Sequence, residues 1–188
     1  MALGRLSAGI AGVNKDFVLS VSVLSMKQHK SCLGIGLTVG LFKQLGNDVG
    51  VSLVNAANLA KDRGIKVDVE CLENKNSGLL SVTTGSKACV SGVVSGERAV
   101  ITEVEGFSLE LPVKGHIFVV KGKKTNLSPQ EILQKLPVTE QATILLSTVG
   151  DHWLCIFQTA EKLPLELATA VSVLNGVVSS FQVDFASE

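Results

Sequence analysis

The chain has 188 residues, 46% hydrophobic and 18% charged, with 17 Lys+Arg balancing 17 Asp+Glu and one Trp beside no Tyr. That length allows one ordinary domain or two small ones, and the apolar content excludes a disordered chain. Zero net charge and scarce aromatics argue against nucleic acid as a partner, and no apolar run reaches the roughly 20 residues that span a bilayer.

Residues 1–12, MALGRLSAGIAG, predict a short helix with Leu3, Leu6 and Ile10 on one face, the tail of an element whose upstream partner is missing. Met1 to Arg5 lacks the basic-then-apolar layout of a secretory signal. Phe17 to Ser25 alternates apolar residues with serine, as a strand with one wet face does. After a polar turn, Leu37, Leu41 and Leu45 stack along a helix from about Leu33 to Leu45. LVNAANLAKDRG predicts another helix, with Asn55 as N-cap and Gly64 past its end. From Ile65 the period becomes two: Ile65, Val67, Val69 and Cys71 alternate with Lys66, Asp68 and Glu70. Extended segments at 79–84, 87–96 and 98–106 follow, an expected antiparallel run with turns at Gly78, Gly85, Gly96 and Gly106. The expected class is α+β.

A second pattern begins near Gly115. His116 to Lys121 is a strand, and GKKTNL is a loop. Ser128, Pro129 and Glu131 make a capping box that opens a helix over 128–136, stopped by Pro137. ATILLSTV and HWLCIFQT are strands joined by Gly150-Asp151, as a type II′ hairpin prefers. Leu167, Ala170, Val171 and Leu174 mark a helix face before Gly176, and VVSSFQVDF closes as a strand. The order is β-α-β-β-α-β, the split-βαβ, ferredoxin-like arrangement. Its helices would cover one sheet face and leave the other for a partner. VSVLS at 21–25 and VSVLN at 171–175 are expected as strand and helix, so context must decide such runs.

Chemistry-bearing patterns are sparse. The glycines of CLGIGLTVG, residues 32–40, invite a nucleotide site, but eight residues separate Ser25 from Gly34, and the acid expected downstream is replaced by SLVNAAN. Small residues for close helix packing explain them better. Cys32, Cys71, Cys89 and Cys155 never approach C-x-x-C spacing, so no metal site is expected, and Cys71 and Cys155 read as small hydrophobes. A reducing, cytoplasmic setting follows as the expectation. His29, His116 and His152 have no acid at motif spacing and read as solvated turn residues. Lys121, Lys123 and Lys124 form the densest basic cluster, read as a solvated loop, as Lys61, Asp62 and Arg63 are read as an exposed helix face.

The stretch from Cys32 through VSLVNAANLAKDRGIKV resembles the allosteric-substrate-binding, or intervening, domain of the D-3-phosphoglycerate dehydrogenase family. SGVVSGERAVITEVEGFSLELPVKGHIFVV resembles that domain's later strands and their passage into the terminal ACT domain, and LGRLSAGIAG looks like the helix leaving the catalytic portion. The resemblance implies an ASB-like domain over 1–114 and an ACT-like regulatory domain over 115–188. Family enzymes oxidise 3-phosphoglycerate with NAD, in the committed step of serine synthesis. Their nucleotide fingerprint and catalytic Arg, Glu and His lie upstream of anything here, so no catalytic or cofactor residue carries over. The implied role is regulation and oligomerisation, with partners in a twin chain and in the catalytic domains of the same polypeptide. Arg98 and Lys114, near the E-V-E-G stretch, are the candidate anion or effector ligands. GKKTNLSP and KLPVTEQ stand where the family's serine loop and its Asn would be; Gly122, Asn126 and Gln141 are the nearest counterparts, and tight serine binding is not expected. The alternative is a free-standing ACT-like small-molecule sensor.

Overall fold

The computed structural model describes residues 1–11, 18–24, 30–46, 50–72, 79–84, 88–95, 98–136 and 142–185. It is a mixed α/β protein with, among those residues, five helices and ten strands in two sheets. The chain divides into two compact units, Met1–Gly106 with Glu110–Val113, and Phe107–Leu109 with Lys114–Glu188. No helix among the described residues is long and apolar enough to cross a membrane.

The first sheet takes its strands from β1 (Val18–Leu24), β2 (Lys66–Leu72), β3 (Leu79–Thr84), β4 (Ala88–Ser95), β5 (Arg98–Val104) and β6 (Phe107–Pro112). Their order is β2-β1-β3-β4-β5-β6. The expected antiparallel run from Ile65 is therefore corrected at its start. β2 does not follow β3 in the sheet; it pairs parallel with β1, Val18 opposite Lys66 through Leu24 opposite Leu72. Parallel neighbours need a long crossover, and the helices α2 (Lys30–Gln44) and α3 (Ala56–Asp62) supply it. Alternation along β2 reports its two faces and says nothing about its neighbours. Ile65, Val67 and Val69 are half-buried and Lys66, Asp68 and Glu70 exposed. β6 has no counterpart among the expected extended segments. It returns from β5 through Glu105 and Gly106, both at positive φ (49° and 83°) as a type I′ hairpin turn demands.

Helix α1 (Ala2–Ala11) packs on α2 at glycine. A Cβ on Gly4 would lie 2.1 Å from the Leu37 carbonyl oxygen, and one on Gly40 would lie 2.0 Å from that of Met1. The two backbones touch where side chains are missing. Leu6, Phe42, Val82, Val90, Ile101 and Leu111 form the buried interior of this unit. Asn55 stands at the N-cap position of α3 without capping it. Its side chain turns back instead, accepting from the Ser52 N–H at 2.8 Å and donating to the Gly50 carbonyl at 2.6 Å. Gly64, at φ 71°, ends the helix as expected.

The second unit contains β7 (His116–Lys123), α4 (Pro129–Leu133), β8 (Thr143–Val149), β9 (His152–Thr159), α5 (Leu165–Ser172) and β10 (Val177–Asp184). The sheet order is β10-β7-β9-β8, antiparallel throughout. Phe118, Val120, Trp153, Cys155 and Phe157 meet Ile132 of α4 and Val171 of α5 in one core. The capping box of α4 is formed: the Ser128 hydroxyl accepts from Gln130 N–H at 3.2 Å, and Glu131 accepts from Ser128 N–H at 3.1 Å. The helix itself is shorter than expected, with turns at 134–136; Pro137 lies outside the described residues. Gly150 has φ 55° and Asp151 does not take positive φ, the sign pattern of the type II′ turn.

HIFVV and WLCIF are continuous apolar runs, so hydrophobic side chains stand on both faces of this sheet: Phe118, Val120, Trp153, Cys155 and Phe157 join the core under α4 and α5, and Ile117, Val119, Leu154 and Ile156 alternate with them.

Candidate functional site

The glycine-rich run lies inside α2, with its glycines past the helix's first turn. Beyond the first turn the N–H groups are spent on the helix itself, so no turn is available to cradle phosphate. Gly40 admits α1, and a Cβ on Gly34 would sit 3.2 Å from Val69, so that position packs against β2. Gly36 has nothing within 4 Å of its would-be Cβ. Two of the three glycines are packing devices, in line with the sequence reading. Gly36 borders an apolar concavity of about 290 Å³, where Leu33, Leu37, Val93 and Val100 meet the exposed Cys32.

Arg98 is exposed at the start of β5 and belongs to the first unit. Lys114 is exposed and belongs to the second, where its carbonyl accepts from Gln158 Nε2 at 2.7 Å. The histidines fare differently from one another. His116 was expected to be an unpaired turn residue; its Nδ1 lies 3.3 Å from Asp184 Oδ1, brought there by the β7–β10 register. A partner 68 positions along the chain leaves no local motif to read. His152 is half-buried at the head of β9, and His29 lies outside the described residues. No cluster of His, Cys, Asp or Glu suited to a metal occurs among the described residues.

The basic cluster is partly structural. Lys124 Nζ donates to the Gly150 carbonyl at 2.8 Å, tying the β7 end to the β8–β9 turn, and Lys121 lies 5.8 Å from the Phe107 ring centroid. Gly122 is not a loop glycine. It faces Trp153 across the β7–β9 pair, and a Cβ there would come within 2.2 Å of the indole. Asn126 follows in the turn, accepting from the Thr125 hydroxyl at 2.9 Å; Gln141 is outside the described residues. Cys155 is buried, and burial pushes its thiol from 9.0 to about 11, so it stays protonated near neutral pH. The side chain of Cys71 is outside the description.

The most distinctive surface feature is the edge strand β8. Thr-Ile-Leu-Leu-Ser-Thr-Val carries no charge and no proline, and Ile144, Leu146 and Val149 are 36%, 55% and 46% exposed. Natural sheets usually blunt an edge with lysine, proline, a bulge or a cover. Among the described residues no strand pairs with its outer side, and Ile144 and Leu146 stand exposed on one face of the sheet with Val149 on the other. Sequence alternation found β8 as a strand, but only the sheet order makes it an edge.

No protein-family model matches the chain, and no curated protein matches it.

Proposed function

We propose that this chain is the regulatory and assembly portion of a D-3-phosphoglycerate dehydrogenase-like enzyme, with an ASB-like unit followed by an ACT-like unit. The observation that carries the assembly role is the β8 edge, uncovered among the described residues. The β-α-β-β-α-β order of the second unit supports the ACT-like reading, and the residue-level resemblance over 32–120 supports the family. Two copies pair along β8, extending the sheet through the edge's backbone groups and placing Ile144 and Leu146 beside the twin's strand. Dehydrogenation with NAD belongs to catalytic domains outside this sequence. Arg98 in the first unit and Lys114 in the second are each proposed as an anion ligand of its own unit within this reading, to be sought by growing crystals with sulfate or 3-phosphoglycerate.

Sedimentation velocity tests the assembly role. The wild-type chain associates as concentration rises, and Leu146→Lys, which places a charge on the edge, shifts it toward monomer. A wild type that stays monomeric at every accessible concentration overturns the reading. The chain alone also produces no NADH from NAD and 3-phosphoglycerate; turnover that survives repurification and is lost on unfolding would refute the division of labour.

A further inference from the structure

A pocket of about 490 Å³ opens within the first unit, between α2, α3 and β2. Its walls are of two kinds. The floor is apolar, built by Ile35, Ala60, Ile65, Val67 and Val69. Gly34 also lines it, close against Val69 and Val67 of β2. The rim is basic, with Lys30 from the start of α2, Lys61 from the end of α3 and Lys66 from β2, and no Asp or Glu lines it. All three lysines are exposed, and none forms a hydrogen bond or ion pair through its side chain with another described residue. Cations usually stand apart on a convex, solvated face; here two helices and a strand bring them to one concavity.

Three ammonium groups at the rim favour a negative charge, while the floor below favours hydrocarbon. Either feature alone would be ordinary. Together they describe an amphipathic ligand with the charge at the mouth.

We propose that this pocket binds a small aliphatic anion, a carboxylate or phosphate ester, with its charge between Lys30 and Lys61 and its hydrocarbon on the Ile35–Val67 floor. The site is independent of the assembly reading and of Arg98 and Lys114. It needs only the first unit, so failure of β8 pairing leaves it standing.

The experiment is an amide-resolved NMR titration of the full chain with butyl phosphate, butyrate, inorganic phosphate and butylamine in parallel. Butyl phosphate and butyrate produce saturable shifts at Ser31, Ile35, Ala57 and Lys61, and which of the two binds tighter identifies the headgroup. Lys30→Gln and Lys61→Gln each weaken that binding about tenfold, the size of one charge-assisted hydrogen bond. Ala57 is an exposed lining residue, so Ala57→Phe closes the mouth while Ala56 and Ala60 keep α3 docked, and it abolishes the shifts. Four results overturn the proposal: no saturation in the tens of millimolar, an equal response to butylamine, an equal response to inorganic phosphate, or unchanged binding in both lysine variants.

Discussion

Replacing Gly122 with alanine tests the core of the second unit at its tightest point. The new Cβ would lie 2.2 Å from Trp153 Cζ2 and 2.5 Å from Cε2, where carbon atoms need about 3.5 Å. Something must move by about 1 Å, and there is little room. Trp153 is fully buried, and its Nε1 donates to the Leu127 carbonyl at 2.8 Å. Overpacking of this kind costs roughly 1–3 kcal/mol, and loss of the indole hydrogen bond adds about 1 kcal/mol. Alanine also restricts the unfolded chain, which returns roughly 0.4–1 kcal/mol. The expected net loss is about 2 kcal/mol. Trp153 is the chain's single tryptophan, so its fluorescence in a urea titration reports this unit alone. With a slope of about 1–3 kcal/mol/M, the midpoint falls by roughly 1 M. An unchanged midpoint with an unchanged emission maximum would refute the packing argument.

Four further outcomes follow from features of both units. In α2, Gly36→Ala stabilises by up to about 1 kcal/mol through helix propensity alone, whereas Gly40→Ala destabilises because its Cβ would strike the Met1 carbonyl 2.0 Å away; thermal melts followed by far-UV circular dichroism should show opposite signs. Ser128→Ala removes half of the α4 capping box and costs about 1 kcal/mol, read in the same tryptophan titration. Exposed Cys32 reacts with a water-soluble maleimide in the native protein, while buried Cys155 waits for unfolding, as mass spectrometry of the labelled peptides will show. Between pH 9.0 and about 11 the native state keeps the Cys155 proton that the unfolded state loses, so stability falls as pH rises there, and Cys155→Ala flattens the fall.

Local chemistry was legible wherever one segment decides the outcome. The Ser128 capping box, the Gly150-Asp151 turn and the period-two strand at 65–71 are statements about neighbours in sequence, and they could be read there. VSVLS and VSVLN make the limit plain: Val21–Leu24 lies in β1, while Val171–Ser172 ends α5. Nearly identical letters adopt different structures because their surroundings differ. Pairing was less legible. Alternation could not show that β2 joins β1 in parallel, since both possible neighbours leave the same side chains exposed. Asn55 had the right type and position for a cap, yet Ser52 and Gly50 compete for the same side chain and win. The His116–Asp184 pair and the exposed β8 edge depend on register and sheet order, which no window along the chain contains. Lys30 and Lys61 of the pocket are likewise 31 positions apart and meet only because a crossover returns the chain beside itself.

The β7–β10 pairing has a mechanical consequence. His116 lies opposite Asp184, and the Phe185 N–H donates to the Gly115 carbonyl at 2.7 Å, so the path into the second unit and the path out of it are side by side. Tension applied at those two points would load the ladder one rung at a time, peeling β10 from β7 at modest force rather than shearing all rungs together. The same proximity makes the unit suited to circular permutation, since a few residues could join the old ends and a new opening could be cut at the Gly150 turn.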